Sequence, residues 1–168
     1  MSKLIGFPRE VNEKAARAVA GGVVVLAILA LVTQWRWVPV VMAIGFALRV
    51  MAGPRFSPLG QLATRVIAPR LGTPKIVPGP PKRFAQAIGF IFTTAASVAA
   101  IGFAATTLAT VLLSILLVFA LLESVVGFCA GCYAFGWLMR WGIIPEETCE
   151  ACNNVQLRLR TAEVQTTA

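Results

Sequence analysis

Four cysteines carry the chemistry that this sequence offers, in two Cys-x-x-Cys pairs: Cys129 with Cys132, and Cys149 with Cys152. The chain has no histidine, so metal binding or redox chemistry has to pass through sulfur. Residues 133–148 separate the pairs, and two such pairs about 15–20 residues apart are typical of a four-thiolate zinc site. The spacing is therefore compatible with a zinc or iron ion held by all four cysteines, and thiol redox chemistry at the same cysteines stays open.

The charges around the cysteines predict weakly reactive thiols. A reactive thiolate needs a lowered pKa, normally from a helix N-terminus or a neighbouring cation. Cys129 is predicted in the C-terminal part of a long helix, where the helix dipole disfavours a thiolate. Glu146, Glu147 and Glu150 surround Cys149, although a new helix starting near residue 145 would offset them. Because coordination itself deprotonates a thiol, these surroundings favour a metal or a shared four-thiol site.

The composition predicts an integral membrane protein. Hydrophobic residues make up 58% of the chain and charged residues only 13%, with a mean hydropathy of +0.80, whereas soluble domains average about 25% charged residues. One span needs about 20 apolar residues, so the uncharged run 84–122 is long enough for two helices. The apolar region 18–48, broken by Gln34 and Arg36, divides in the same way.

We therefore predict an all-α membrane protein with four transmembrane helices in two hairpins, forming one domain. The basic, proline-rich loop 53–83 is expected to hold an amphipathic helix lying on the membrane surface, and the tail 140–168 carries the second cysteine pair. The fourth helix is expected to continue out of the membrane toward residue 139. The predicted spans are 16–33, 38–51, 84–102 and 109–128.

Lysines and arginines concentrate in the N-terminal segment, the central loop and the tail, which predicts that these segments face the cytoplasm across a bacterial inner membrane. All four cysteines then lie in or beside a reducing compartment, where structural disulfides are rare. The loop cations are predicted to contact anionic lipid headgroups rather than nucleic acid. These cations are Arg55, Arg65, Arg70, Lys82 and Arg83.

Glu123 is the one acid inside the predicted spans. An intramembrane carboxylate is a candidate functional group because its burial costs about 2.5–3.5 kcal/mol on insertion scales. Its predicted partners are Ser124, a polar group of a neighbouring subunit, or Arg49 at similar depth on the second helix. Proton or substrate handling and a simple hydrogen bond both remain open for it.

Five short motifs stand out along the chain: Gly53-Pro-Arg-Phe-Ser-Pro58, Ala68-Pro-Arg-Leu-Gly72, Pro80-Pro-Lys-Arg-Phe-Ala-Gln-Ala-Ile-Gly89, Gly127-Phe-Cys-Ala-Gly-Cys132 and Cys149-x-x-Cys152. They resemble a bacterial membrane family known as domain of unknown function four-three-nine-five. The likeness covers about residues 7–155, and its most specific part is the Gly-Phe-Cys-x-Gly-Cys element. The resemblance implies a link to thiol redox or sulfur metabolism, without a substrate, and draws attention to the four cysteines.

The leading hypothesis is a membrane protein whose cytoplasmic-side cysteines handle thiol redox or sulfur species, with a thioredoxin-like protein as a partner. The first alternative is a scaffold or accessory subunit of a membrane complex, in which the four cysteines bind structural zinc or iron. The second is a small oligomeric transporter that uses Glu123. Small-residue patterns such as Ala95-x-x-x-Ala99 suit helix association within or between subunits, so we expect an oligomer. Whether the protein is an enzyme stays open at this point.

Overall fold

The computed structural model describes residues 10–142, and most of this part of the chain is helical. A short antiparallel pairing joins β1 (Glu10–Asn12) to β2 (Ile76–Pro78). Three π-helical turns, Ala63–Ile67, Val98–Gly102 and Leu122–Val126, are continuous with neighbouring helices. The helices are α1 (Glu13–Thr33), α2 (Val38–Ala52), α3 (Pro58–Leu62), α4 (Ala68–Arg70), α5 (Gly79–Gly102), α6 (Thr106–Val126) and α7 (Ala130–Arg140).

Three helices, α1, α5 and α6, are long and apolar enough to cross a membrane, which confirms the prediction of a helical fold with membrane-type helices. The helix α2 is apolar but has only 15 residues, or about 22 Å at 1.5 Å per residue. The hydrocarbon layer is about 30 Å thick, so α2 is shorter than a full perpendicular span. The fourth span and the arrangement in two hairpins stay predictions.

The break between α1 and α2 lies where the sequence predicts it. Gln34 ends α1 in the left-handed conformation, with a φ of 54°. Pro39 lies in the first turn of α2, where its missing N–H costs no helical hydrogen bond. Trp35 and Trp37 between them are exposed, as is typical of aromatic side chains at the headgroup level.

Small residues let the four long helices approach one another closely. The helix α2 packs along α5, and α1 packs along α6; Ala27 and Ala96 in the shared core are fully buried. A Cβ on Gly89 would lie 2.4 Å from the ring of Phe46, so only glycine leaves room for this aromatic contact. Close approach through Gly and Ala is typical of membrane helices, which gain no hydrophobic driving force against lipid.

The helix α5 begins at Gly79, five residues before the predicted start of the third span. Prolines lie in its first turn, where they fit because the first helical N–H groups have no partner within the helix. Residues 103–105 connect α5 to α6, and Ala104 takes a positive φ of 51° in this turn. Because the two helices are joined so tightly and pack together, the first turn of α5 lies beside the last turn of α6.

The basic segment between α2 and α5 is helical over α3, the following π-helical turn and α4. Leu59 of this segment packs on α1, where a Cβ on Gly22 would come within 2.4 Å of its Cδ1. Arg65 and Arg70 are exposed. The placement of this segment on a membrane surface stays a prediction.

Before α1, the chain is tied to the segment before α5. Glu10 pairs with Pro78 and Asn12 with Ile76 across the two strands. Lys75 makes an ion pair of 2.7 Å with Glu13 at the start of α1. The sequence does not predict this strand pairing, because three-residue strands carry no periodic signal.

Candidate functional site

A sharp break in the chain sets up the site. The helix α6 ends at Gly127, which adopts the left-handed conformation with a φ of +80° that ends many helices. The guanidinium of Arg17 in α1 donates to the backbone carbonyls of Ser124 and Val125, at 3.2 Å and 2.6 Å. These bonds satisfy carbonyls that the end of α6 leaves without helical partners. The prediction of one continuous helix from residue 109 toward residue 139 is therefore wrong.

The break places Cys129 at the start of a new helix. Cys129 is the N-cap residue of α7, in extended conformation, and Cys132 follows in the first turn. The positive end of the helix dipole therefore lies at the first cysteine, where it favours a thiolate. The prediction that Cys129 lies in the C-terminal part of a helix, with the dipole opposing a thiolate, is wrong for the same reason.

Glycine at position 131 brings α7 close against α5. A Cβ at Gly131 would lie 2.6 Å from both the Cα and the Cβ of Ala85, a distance that no side chain tolerates. Further along α7, the ring of buried Phe135 packs against Phe84, with 5.7 Å between ring centres. These two contacts fix the cysteine pair over the first turns of α5.

A buried ion pair lies beside the cysteines. Lys82 Nζ donates to Glu123 Oε1 at 2.7 Å, and the two side chains are 8% and 15% exposed. The prediction that Lys82 contacts lipid headgroups is wrong, because its ammonium is buried against this carboxylate. Lys82, rather than Arg49 or Ser124, is the partner that the structure gives to Glu123.

The sequence contains a signal for this pair. Lys82 is the fourth residue of α5, and Glu123 is the fourth residue from the end of α6. Two consecutive helices joined by a short turn run antiparallel, so residues at similar distances from that turn lie at similar levels. Lys82 lies 20 residues before Gly102, and Glu123 lies 17 residues after Thr106. Because a buried carboxylate needs a cation close by, Lys82 could have been named from topology alone.

Arg49 is buried as well, with an exposed fraction of 5%. Its Nε donates to Gln86 Oε1 at 2.8 Å, and its Nη1 donates to Ser57 Oγ at 3.2 Å. Its guanidinium carbon lies 4.4 Å from the ring centre of Phe46, in a cation–π contact. Arg49 and Lys82 are thus two buried cations among the described residues, and of these two Lys82 makes the ion pair with Glu123.

The two thiols differ in acidity. Both are free, with Cys129 buried and Cys132 half-buried. A hydrogen bond from the Cys132 thiol lowers the pKa of Cys129, and the charge of Lys82 adds to this effect, while burial and Glu123 oppose it. The same hydrogen bond and burial raise the pKa of Cys132. The prediction that its surroundings raise the pKa of Cys129 is therefore wrong: Cys129 is the group that ionises, and Cys132 holds the proton.

An apolar cavity of about 270 Å³ borders Cys129. Glu123 and Gln86 are the polar side chains in its wall. The remaining wall reaches far along the long helices, to Val23 of α1 and Leu116 of α6. Cys129 thus borders an apolar space within the bundle, whereas Cys132 is the more exposed residue of the pair.

A family model matches residues 11–140 of the chain. The chain belongs to the family described as Domain of unknown function (DUF4395). The DUF4395 match includes every residue of the site described above and ends before Cys149 and Cys152. No curated protein and no solved structure matches the chain.

The remaining predicted site residues have mixed outcomes. Cys149 and Cys152 lie outside the described residues, so the four-cysteine zinc or iron site stays a prediction. Within residues 10–142, no group of three or more cysteines and acids is placed to hold a metal ion. Exposed Arg83 donates from its Nε to the Val50 carbonyl at the end of α2. The headgroup contacts of the loop arginines Arg55, Arg65, Arg70 and Arg83 stay predictions. The transporter alternative stays a prediction as well.

Proposed function

We propose that Cys129 and Cys132 form a redox-active dithiol at one end of a membrane helix bundle and exchange electrons with a dithiol protein, such as a thioredoxin-like partner. The observation that carries this proposal is the position of Cys129 at the start of α7, beside the Lys82–Glu123 pair. The helix dipole, the Cys132 thiol and the lysine charge all favour a Cys129 thiolate. A low-pKa thiol three residues from a protonated one is the arrangement that dithiol exchange uses.

Accessibility and acidity assign different roles to the two sulfurs. When the pair is a disulfide, a partner thiolate reaches half-buried Cys132 more easily than buried Cys129. Its attack on Cys132 Sγ forms a mixed disulfide, breaks the Cys129–Cys132 bond and releases the Cys129 thiolate. A thiol of low pKa leaves faster, so the environment of Cys129 accelerates this step.

The second step completes a two-electron transfer. The other thiolate of the partner attacks the partner sulfur that is bound to Cys132, forms the partner disulfide and releases the Cys132 thiolate. Because its pKa is raised, Cys132 then takes up a proton. The partner dithiol loses two electrons and two protons; Cys132 receives one proton, the other goes to solvent, and Cys129 stays a thiolate. With an oxidised partner, the same steps run in reverse.

We propose the following membrane arrangement for this chemistry. The helix α2 crosses as a fourth, short span, and the basic segment between α2 and α5 lies on the cytoplasmic side of a bacterial inner membrane with both termini. The concentration of Lys and Arg in these segments supports this orientation. The dithiol then lies at the cytoplasmic face, where cysteine pairs act in transient redox cycles rather than as structural bridges.

A redox titration tests the proposal. The full-length chain with Cys149 and Cys152 replaced by Ser is equilibrated in glutathione buffers of increasing oxidising potential, and its free thiols are counted by mass after alkylation. We expect a two-electron transition from two free thiols to a Cys129–Cys132 disulfide. A further substitution in this protein, Cys129→Ser or Cys132→Ser, leaves one thiol, so no disulfide forms within the chain and the transition is absent. If the protein with Cys149 and Cys152 replaced by Ser keeps both free thiols in fully oxidising buffer, the proposal is contradicted.

A further inference from the structure

We propose that Arg49 and Ser57 form the headgroup site of a bound anionic phospholipid, separate from the dithiol. Arg49 is 5% exposed and Ser57 is fully buried. Both line a second cavity of about 360 Å³ between α1, α2 and α3. The other walls of this cavity are apolar and include Val23, Met42 and Leu59.

The guanidinium of Arg49 keeps hydrogen-bonding capacity for a ligand. Its Nε and one N–H of Nη1 are used by Gln86 and Ser57. Among the described residues, Nη2 donates to no acceptor, and the Ser57 hydroxyl only accepts, from Arg49 and from the backbone N–H of Gly60. The free N–H groups of Nη1 and Nη2 form a fork that fits two oxygens of a phosphate.

Charge favours an anion at this place. Lys82 is neutralised by its contact with Glu123 at 2.7 Å, and the structure shows no carboxylate within hydrogen-bonding distance of Arg49 among residues 10–142. Glu123 attracts both Arg49 and Lys82, so its one negative charge balances only one of the two buried cations. Burial of the other is costly because it removes its hydration. A phosphate on Arg49 would supply the missing negative charge.

The shape of the cavity points to a lipid rather than to a free anion. Arg49 lies in the last turn of α2, and Val41 of the same helix lines the other end of the cavity. Arg49 comes eight positions after Val41, a rise of about 12 Å along the helix, which is room for part of an acyl chain. Val41 and Leu62 at the cavity wall are 59% and 49% exposed, so the cavity borders the surface that lipid would cover.

The neighbouring charges select an anionic headgroup over a zwitterionic one. The exposed arginines Arg65 and Arg70 lie in the segment that follows Ser57. A choline group at this site adds a positive charge to that of buried Arg49, whereas a glycerol headgroup does not. We therefore expect phosphatidylglycerol to bind in preference to phosphatidylcholine.

Native mass spectrometry of the full-length protein in a neutral detergent tests this site. Phosphatidylglycerol, phosphatidylcholine, oleate and inorganic phosphate are titrated separately. We expect one phosphatidylglycerol to bind to the wild-type chain, and Arg49→Gln to weaken its binding about tenfold or more, the size of a lost charge-assisted hydrogen bond. Arg36→Gln, which removes the same charge from an exposed position at the opposite end of α2, should bind like the wild type.

A second variant keeps the test valid if Arg49→Gln fails to fold. A Cβ on Gly45 has 3.5 Å to the nearest atom, Arg49 Nη1, so Gly45→Leu can place its side chain in the cavity while it keeps the arginine. It should reduce phosphatidylglycerol binding to a similar extent. Equal binding of phosphatidylcholine, equal binding of oleate or inorganic phosphate, or unchanged binding by Gly45→Leu would each overturn the proposal. None of these outcomes bears on the redox titration.

Discussion

Two lysine–glutamate ion pairs in this protein have the same length and equally exposed glutamates, at 15%, but differ in the exposure of their lysines. Lys75 and Glu13 lie 2.7 Å apart near the strand pairing, with the lysine side chain 70% exposed. Lys82 and Glu123 are also 2.7 Å apart, but the lysine side chain is 8% exposed and the pair lies beside Cys129. Water screens the first pair and reaches the second poorly, so equal geometry gives unequal energies. Burial therefore makes the second pair the one that can affect thiol chemistry.

The largest effect expected is on folding stability, because Lys82→Met leaves the Glu123 carboxylate buried without its cation. We expect it to lower the free energy of unfolding by about 3–5 kcal/mol, measured by denaturant titration in detergent. Lys75→Met removes a contact of equal length at the surface and should change it by about 1 kcal/mol or less. If both variants lose a similar free energy of unfolding, the burial of Lys82 does not make its ion pair different from that of Lys75.

A smaller effect is expected from the contact that holds α7 over this ion pair. Gly131→Ala places a Cβ 2.6 Å from Ala85 and should cost about 1–3 kcal/mol through overpacking. The matched control is Gly136→Ala in the same helix, where a Cβ meets nothing within 4 Å. That change should be neutral or slightly stabilising, because alanine is the better helix former. Thermal unfolding of both variants measures the difference, and equal midpoints would show that α7 does not press on α5.

The subtlest comparison concerns the pH at which Cys129 reacts. Because its pKa is lowered, first by the Cys132 thiol and further by Lys82, the thiolate forms at a lower pH than in an ordinary cysteine. The rate of iodoacetamide alkylation should therefore rise with pH around a midpoint below that of Cys132. Lys82→Met should move the Cys129 midpoint to higher pH, and Lys75→Met should leave it in place. An unchanged Cys129 midpoint in Lys82→Met would show that the ion pair does not affect the ionisation of the thiol.

Composition and helix-breaking residues predict much of this fold correctly. The apolar runs identify the long helices, and the Trp-x-Trp-x-Pro break between α1 and α2 is visible because proline and interfacial tryptophans have strong local preferences. The Cys-x-x-Cys spacing identifies Cys129 and Cys132 as the residues that could do chemistry. All three signals are local in the chain.

The break before α7 escapes the same reasoning. Residues 122–128 are mostly apolar and contain one glycine, so local pattern favours a continuous helix. The structure instead ends α6 at Gly127 with help from Arg17, which lies 107 residues away from Ser124 in the chain. The break at Gly127, which the Arg17 contacts accompany, places Cys129 at the start of α7, where the helix dipole favours a thiolate. Whether the helix dipole stabilises or destabilises a thiolate at Cys129 could therefore not be predicted from the residues next to it in sequence.

The direction of exchange at the cysteine pair is the most direct test of this account. The Cys149→Ser/Cys152→Ser protein is oxidised, reacted briefly with reduced glutathione, quenched by acid and digested, and mass spectrometry locates the bound glutathione. We expect glutathione on Cys132, with Cys129 released as the free thiol. Glutathione mainly on Cys129, or an oxidised protein without a Cys129–Cys132 disulfide, would contradict it.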